Sequence, residues 1–475
     1  MKNNILVLIC LFVFVLPVCA GAQEVSQSTQ EDQQLIEVTV YNSNLGLIKD
    51  RRNISLAKGI GELRFMDVAA FIMPVTVHVE SLNAPDAFAV LEQNYEYDLM
   101  NADKLLDKYI DKKIKIVDWN EYQGKKDVVE AILLSNNNGQ IFKINDEIYL
   151  DYPGYKVLPQ IPENLIAQPT LTWLYENTNS QPHSIEVSYL TTNINWMADY
   201  VVVLDKEDKA AGLNGWVSLD NRSGATYKNA KLKLVAGAVN RARPTLMAED
   251  ISSEFMGKAA ARSAQFEEQS FFEYHIYDLQ RKTTVKNNQT KQVSLLEADN
   301  ISVKKEFLSP GQQYYYSGQY AGQKMKSPVS VYINFKNSED NHLGMPLPEG
   351  IMRLYKEDKA GALQFIGEDR IKHTPKDEEV KLKIGEAFDV VCERVQTDYQ
   401  RQGSWAHETE WEVTLRNHKD EKIIVGLLEP LYGEWQVMSS THTYKKVDAF
   451  TLRFDVVVPK DEEVKVKYRI RVSYR

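Results

Sequence analysis

Three short stretches of this 475-residue chain carry side chains that could do chemistry. The first is GEDRIKHTP, which brings Glu368, Asp369, Arg370, His373 and Thr374 close together. A carboxylate and an imidazole so near could act as general acid and base, with Arg353 or Asp389 brought against them by the fold. The plainer reading, which carries more weight, is a charged strand end leading into a proline turn. The second is NFKNSEDN, where Asn334, Asn337, Glu339, Asp340 and Asn341 offer oxygen ligands of the kind calcium takes. The EF-hand spacing is absent, so a polar hairpin loop is expected instead. The third is QQYYYSGQY, with Tyr314, Tyr315, Tyr316 and Tyr320. On an exposed strand these rings would form a platform for sugars or a partner; strand packing with edge exposure is the plainer alternative.

Nothing more specific is present. There is no G-x-S-x-G elbow, H-E-x-x-H pair, Walker A loop or G-x-G-x-x-G turn. The eight histidines are scattered, with no two spaced to ligate one metal from a helix face. No catalytic residue, metal or cofactor is therefore assigned. The binding candidates are Glu368, Asp369, His373, Arg353, Tyr314, Tyr315 and Tyr316.

The elements that must position them read as strands. From His342 to Val395, short alternating runs (IMRLY, LQFIGEDRI, VKLKIG, FDVVCERV) are punctuated by PLPEG, KEDKAG and KHTPKDEE, the pattern of an antiparallel meander. Alternation is strictest at Phe450–Pro459 and Glu463–Tyr474, with PKDEE between them as a hairpin turn. The second of these sets Lys465, Lys467, Arg469 and Arg471 on one face, read as a solvated sheet surface that also discourages edge pairing. The fold class is mainly β and multi-domain: antiparallel β-sandwiches, a small SH3-like barrel and one short helix. That helix is expected over Ala102 to Ile110, capped by Asn101.

Along the chain, 23–34 reads as a flexible leader, 35–97 as an N-terminal β region, and 98–160 as the helix plus barrel. A central β-sandwich follows at 169–305, containing an Ala-, Ser-, Glu- and Met-rich loop at 245–270 that is expected to be mobile. A C-terminal β-sandwich occupies 306–475. Trp196 and Trp216 are expected as core anchors of the central sandwich.

Before these lies a targeting pattern at 1–22. Lys2 precedes an apolar run from Ile5 to Val18, and Ala20-Gly21-Ala22 offers a small-x-small cleavage site with Gln23 as the mature start. The run is shorter than the ~20 apolar residues of a membrane span. Lipidation of Cys19 is the alternative, weakened by Val18 where a small residue is usual. Cys10 and Cys19 leave with this segment, so Cys392 remains alone, a buried hydrophobe in DVVCERV. A large exported chain without disulfides suits a bacterial periplasm or cell envelope. The net charge of −10 and pI near 5.5 argue against nucleic acid as partner, which would need a concentrated basic face.

Several segments in series resemble a known family: YLTTNINWMADYVVVLD, GWVSLDNRSGATYKNAKLKLVAG, FFEYHIYDLQRKTTVKNNQTKQVSLLEA, HLGMPLPEGIMRLY, LQFIGEDRIKHTP, LKIGEAFDVVCERV and TLRNHKDEKIIVGLLEPLYGEWQV. Together they resemble the bacterial domain of unknown function 4139, also the C-terminal part of mucoidy-inhibitor-type proteins. The resemblance is strongest from about Ser184 onward. It implies a mostly-β exported protein without assigned biochemistry, and supplies no catalytic residues. Mucoidy-inhibitor-type members carry long coiled-coil segments before this domain; here a short helix and the small barrel stand in that place. The expected function is an exported, non-catalytic envelope protein that presents β-domains to another protein or a glycan. A hydrolase acting on envelope polymer and a structural or assembly factor are the alternatives.

Overall fold

A computed structural model describes residues 25–96, 101–120, 125–137, 139–162, 168–237, 266–271, 274–320 and 322–474. The targeting segment with Cys19, Ala22 and Gln23, and residues 245–265 of the expected loop, lie outside the described residues. Residues 266–270 belong to a strand, Phe266–Phe271, paired antiparallel with Tyr274–Leu279. The chain is mainly β with one α-helix among the described residues, Ala102–Asp107. No helix there is long and apolar enough to cross a membrane. Two compact units emerge, one from Met1–Ile36, Ile48–Thr191 and Ser223–Ala225, the other from Glu37–Leu47, Thr192–Arg222 and Thr226–Arg475.

In the first unit, strands run in the order Val25–Ser28, Gly59–Met66, Thr170–Asn177, Phe88–Glu96. Residues 25–32, expected as a flexible leader, are instead ordered. Val25–Ser28 pairs parallel with Gly59–Met66, and Thr29 caps a short 3-10 turn whose Asp32 carboxylate accepts the Thr29 N–H. The reason is Arg52, fully buried in the Leu45–Ile54 strand. It donates to the carbonyls of Ser28 and Met66 and to the carboxylate of Asp50, and lies 3.6 Å over the Phe65 ring. Such a charge is tolerated inside only when its N–H groups are met, and the leader's carbonyl is one of the acceptors. Aromatic packing continues through Phe65 on Trp173 and Phe88 on Tyr175.

The same unit carries a small antiparallel sheet ordered Glu147–Leu150, Ile141–Ile144, Lys125–Ser135, Lys113–Asn120, Tyr155–Val157. Asn101 accepts the Lys104 N–H and starts the helix, as its side chain type predicts. Leu106 and Tyr109 then close over Ile114, Ile116, Leu133 and Phe142.

The second unit holds the segment expected as one meander from His342 to Val395, but distributes it over three sheets. Gly350–Glu357 and Leu363–Ile371 join Ile194–Leu204, Ala210–Asn221 and Gln289–Ser302 in a five-stranded sheet. Glu379–Glu386 lies at the end of a sheet with Ser330–Lys336, Lys304–Pro310, Ile423–Pro430, Thr451–Val458 and Tyr444–Asp448. Val390–Gln402 pairs with Ala406–Asn417, followed in that sheet by Glu463–Ser473 and Glu434–Ser440. Alternation identifies a strand but not its partner, and here the KHTPKDEE and EAFD turns carry the chain from sheet to sheet. PKDEE does the same: Thr451–Val458 and Glu463–Ser473 are not a hairpin but belong to opposite layers. Between those layers lies one core, with Phe307, Val425, Phe454 and Val456 meeting Cys392, Trp411, Val413 and Tyr468. The expected basic row does face outward, and each member is ion-paired: Lys465 with Glu412, Lys467 with Glu410, Arg469 with Asp398, Arg471 with Glu408.

One pair network in this sandwich sets an acid limit. Burial pushes the Glu306 carboxyl up, but hydrogen bonds from Arg453, Lys381 and Asn334 outweigh it and bring it from 4.5 to about 2. A carboxyl depressed in the fold stabilises above its unfolded value, and that stability is lost as pH falls through the folded one. The stability difference between the native protein and a Glu306→Gln variant should therefore shrink by about 1–2 kcal/mol between about pH 4.5 and 2, allowing for partly exposed partners. Urea titrations across that range measure it; a constant difference would show that Glu306 gains nothing from its neighbours.

Candidate functional site

The outward face of the five-stranded sheet is assembled by alternation. In Ile194–Leu204, Trp196, Ala198, Tyr200 and Val202 are buried, so Asn195, Met197, Asp199 and Val201 face out. In Ala210–Asn221, Val217 and Leu219 are buried, and Asn214, Trp216, Ser218 and Asp220 face out. Registry sets Trp216 opposite Asp199 and Ser218 opposite Met197. Gly350 opens the neighbouring parallel strand; a Cβ there would come 2.2 Å from the Ala198 carbonyl oxygen, so only glycine allows this approach. Beyond it a bulge at Gly367 (φ 153°) brings Glu368 opposite Arg353 and Phe365 opposite Tyr355.

The result is a continuous polar track across all five strands. The Arg353 guanidinium reaches Glu368 Oε2 at 3.2 Å and donates to Asp199 Oδ1 at 3.0 Å. Ser218 donates to Asp199 Oδ2 at 2.6 Å and accepts from the Gln292 amide at 3.2 Å. The Asp199 hydrogen bond and charge hold the Arg353 guanidinium even more firmly protonated than usual. Beside the track stand Trp216, 39% exposed, and Met197, 43% exposed. Trp216 is thus not the core anchor expected of it; Trp196 is, 2% exposed, with its indole N–H on the Val235 carbonyl.

The sequence candidates divide accordingly. Arg353 and Glu368 lie in the track. Asp369 points the other way, and its carboxylate accepts the backbone N–H groups of Arg370 and Lys383, joining two strands of different sheets. His373 sits beyond the strand end. Its Nδ1 accepts the Glu349 N–H at 3.1 Å, and its Nε2 lies 3.1 Å from the Asn42 side-chain nitrogen. Burial lowers its pKa, opposed by the Glu349 charge and reinforced by His275. Both ring nitrogens are engaged by neighbours of the same unit, so the ring fastens the strand end to the Glu349 and Asn42 segments. The tyrosines are not on a strand: Gln313–Tyr316 is a 3-10 turn that buries Tyr315 and Tyr316 against Trp411 and leaves Tyr314 exposed. Three consecutive rings cannot share one face of a strand, and the turn puts two of them inside. In NFKNSEDN, Asn337 holds the carbonyls of Met345 and Pro375, and Glu339 pairs with Lys376. No group of three His, Cys, Asp or Glu able to hold a metal occurs among the described residues.

Two further places deserve comparison. In the first unit, Ser81 Oγ lies 2.9 Å from His183 Nδ1, and His183 Nε2 lies 3.0 Å from Asn177 Oδ1. These are the contacts of a nucleophile, base and orienting amide. All three residues are buried, however, and Asn177 also ties down the Leu56, Ala57 and Asn179 carbonyls. No substrate reaches the hydroxyl, and the cluster fastens strand ends. The small sheet carries an open cleft of about 660 Å³ lined by Asp103, Asp107, Asn136, Gln140, Asp151 and Lys156. Two of its three carboxylates are used internally, Asp107 by Asn136 and Asp151 by the Gln140 N–H, and Tyr152 and Pro153 are its main apolar lining, less than a ligand pocket usually offers. The sheet face is therefore the best-built site. No family model matches the chain, and no curated protein matches it.

Proposed function

We propose that the protein is an exported, non-catalytic component of the bacterial cell envelope, related to the domain of unknown function 4139, that binds a protein or glycan partner through the outward face of the five-stranded sheet. The observation that carries this reading is the track Glu368–Arg353–Asp199–Ser218–Gln292, fixed by its own hydrogen bonds with Trp216 and Met197 exposed alongside. A rigid polar row beside an exposed aromatic is how recognition surfaces limit the ordering cost of binding. The engagement of both His373 ring nitrogens and the burial of the Ser81–His183–Asn177 cluster support a non-catalytic role.

The test places a photo-cross-linking side chain at Met197 in native envelopes. A discrete adduct that disappears with Trp216→Ala is expected. No adduct, or one indifferent to Trp216→Ala, overturns the reading. In parallel, His373→Ala should fold and complement the native host like the parent protein; a folded, exported but inactive His373→Ala variant would move the function to catalysis.

A further inference from the structure

We infer, building on the recognition reading above, that the ligand of this face is an uncharged glycan, a chain of pyranose rings lying across the strands with one ring at Trp216. The surroundings of Trp216 are the first ground. On its own strand stand Asn214 and Ser218, and across from it Asp199 and Ser294. Protein hot spots are apolar clusters emptied of water. A single indole with polar groups directly beside and across from it, and Met197 and Val201 only at the diagonals, suits a pyranose instead, whose apolar C–H face needs a ring and whose hydroxyl rim needs donors and acceptors.

The second ground is spacing. Neighbouring strands lie about 4.8 Å apart, so the track offers donors and acceptors at intervals close to one pyranose unit of an extended chain. Arg353 retains further N–H donors, and Asp199 further lone pairs, beyond those used within the track. Vicinal hydroxyls match such paired groups.

Charge is the third. Arg353 lies between two carboxylates, Arg370 pairs with Glu349, and Arg222 pairs with Asp220. These guanidinium groups are already matched, so a uronate or phosphate-bearing polymer would have to compete with fixed carboxylates.

Calorimetric titration of the full chain tests this with three probes: linear pentasaccharides of a neutral hexose, of an N-acetylhexosamine and of a uronic acid. At least one neutral probe should bind, and Trp216→Ala should weaken it roughly tenfold or more. The uronic acid probe should bind at least as weakly as that variant does. Trp405→Ala, which removes another exposed indole, should change nothing. Failure of both neutral probes, an unaffected Trp216→Ala variant, equal loss in Trp405→Ala, or preference for the uronic acid overturns the inference. The cross-link at Met197 separates the two failures. A Trp216-dependent protein adduct without glycan binding leaves the recognition surface standing and removes only its glycan ligand; neither signal removes both.

Discussion

Glu429→Leu should destabilise the C-terminal sandwich by about 3–5 kcal/mol, the usual cost of stripping one partner from a buried ion pair. Arg394 and Glu429 are both fully buried, with Nε to Oε1 at 3.1 Å. Burial works against the Arg394 charge, yet the Glu429 carboxylate more than restores it, so the guanidinium stays protonated in the core. The remaining contacts, from Arg394 to the Ser309 hydroxyl and carbonyl and to Cys392 Sγ, supply acceptors but no counter-charge. Tyr316, which donates to Glu429 Oε2 at 2.7 Å and meets the Tyr468 hydroxyl, loses its acceptor too. Pairing the change with Arg394→Met should recover part of the loss, because it removes the stranded buried charge and leaves only neutral groups, the Tyr316 hydroxyl and the Ser309 hydroxyl and carbonyl, short of a partner. Urea unfolding of the two variants provides the comparison. A single variant within 1 kcal/mol of the parent, or a double variant no better than the single, would contradict the account.

Arg52→Met should cost a similar amount, about 3–5 kcal/mol, in the first unit. It leaves the Asp50 carboxylate buried with the Gln33 amide as its remaining side-chain donor, and removes the donors to the Ser28 and Met66 carbonyls. The apolar methionine can still cover Phe65, but it cannot hold the Val25–Ser28 strand. Because a chain of two compact units need not unfold in one step, the sensitive measurement is local. Amide exchange in Val25–Ser28 and the facing Gly59–Met66 strand should accelerate well before the second unit responds. Unchanged protection in Val25–Ser28 would mean that ladder pairing alone secures it.

Much of this architecture was legible from period-two alternation. That pattern marks strands wherever one face is buried, and Asn101 announces its helix by chemistry alone. Strand partners were not legible, because residues 342–395 alternate equally well in one sheet or in three. The recognition face was half legible. Glu368 and Arg353 stood out as charges near a histidine, although the histidine turned out to be a bystander. Residue type alone places Trp216 in the core, whereas GWVSLDN alternates Trp, Ser, Asp against Val, Leu, Asn. Reading position before residue type would have placed the indole outside. Gly367 inside LQFIGEDRI was the available hint of the bulge that aligns Glu368 with Arg353. The contact between Asp199 and Ser218, by contrast, depends on antiparallel registry across the KEDKAAG turn, and no local signal states it.

The placement of Glu463–Ser473 has a consequence for biogenesis. This strand is central in its layer, flanked by Ala406–Asn417 and Glu434–Ser440, and it contributes Val466, Tyr468, Ile470 and Val472 to the shared core. The ribosome makes it after every other strand of the sandwich, so the two flanking strands wait with an unfilled gap between them. Until then, the Tyr316–Tyr468 contact beside the buried Arg394 cannot form either. Sequence-distant pairing of this kind folds slowly and cannot be completed piecemeal during synthesis. The sandwich can therefore close only once synthesis has passed residue 473, and its core stays open to solvent until then.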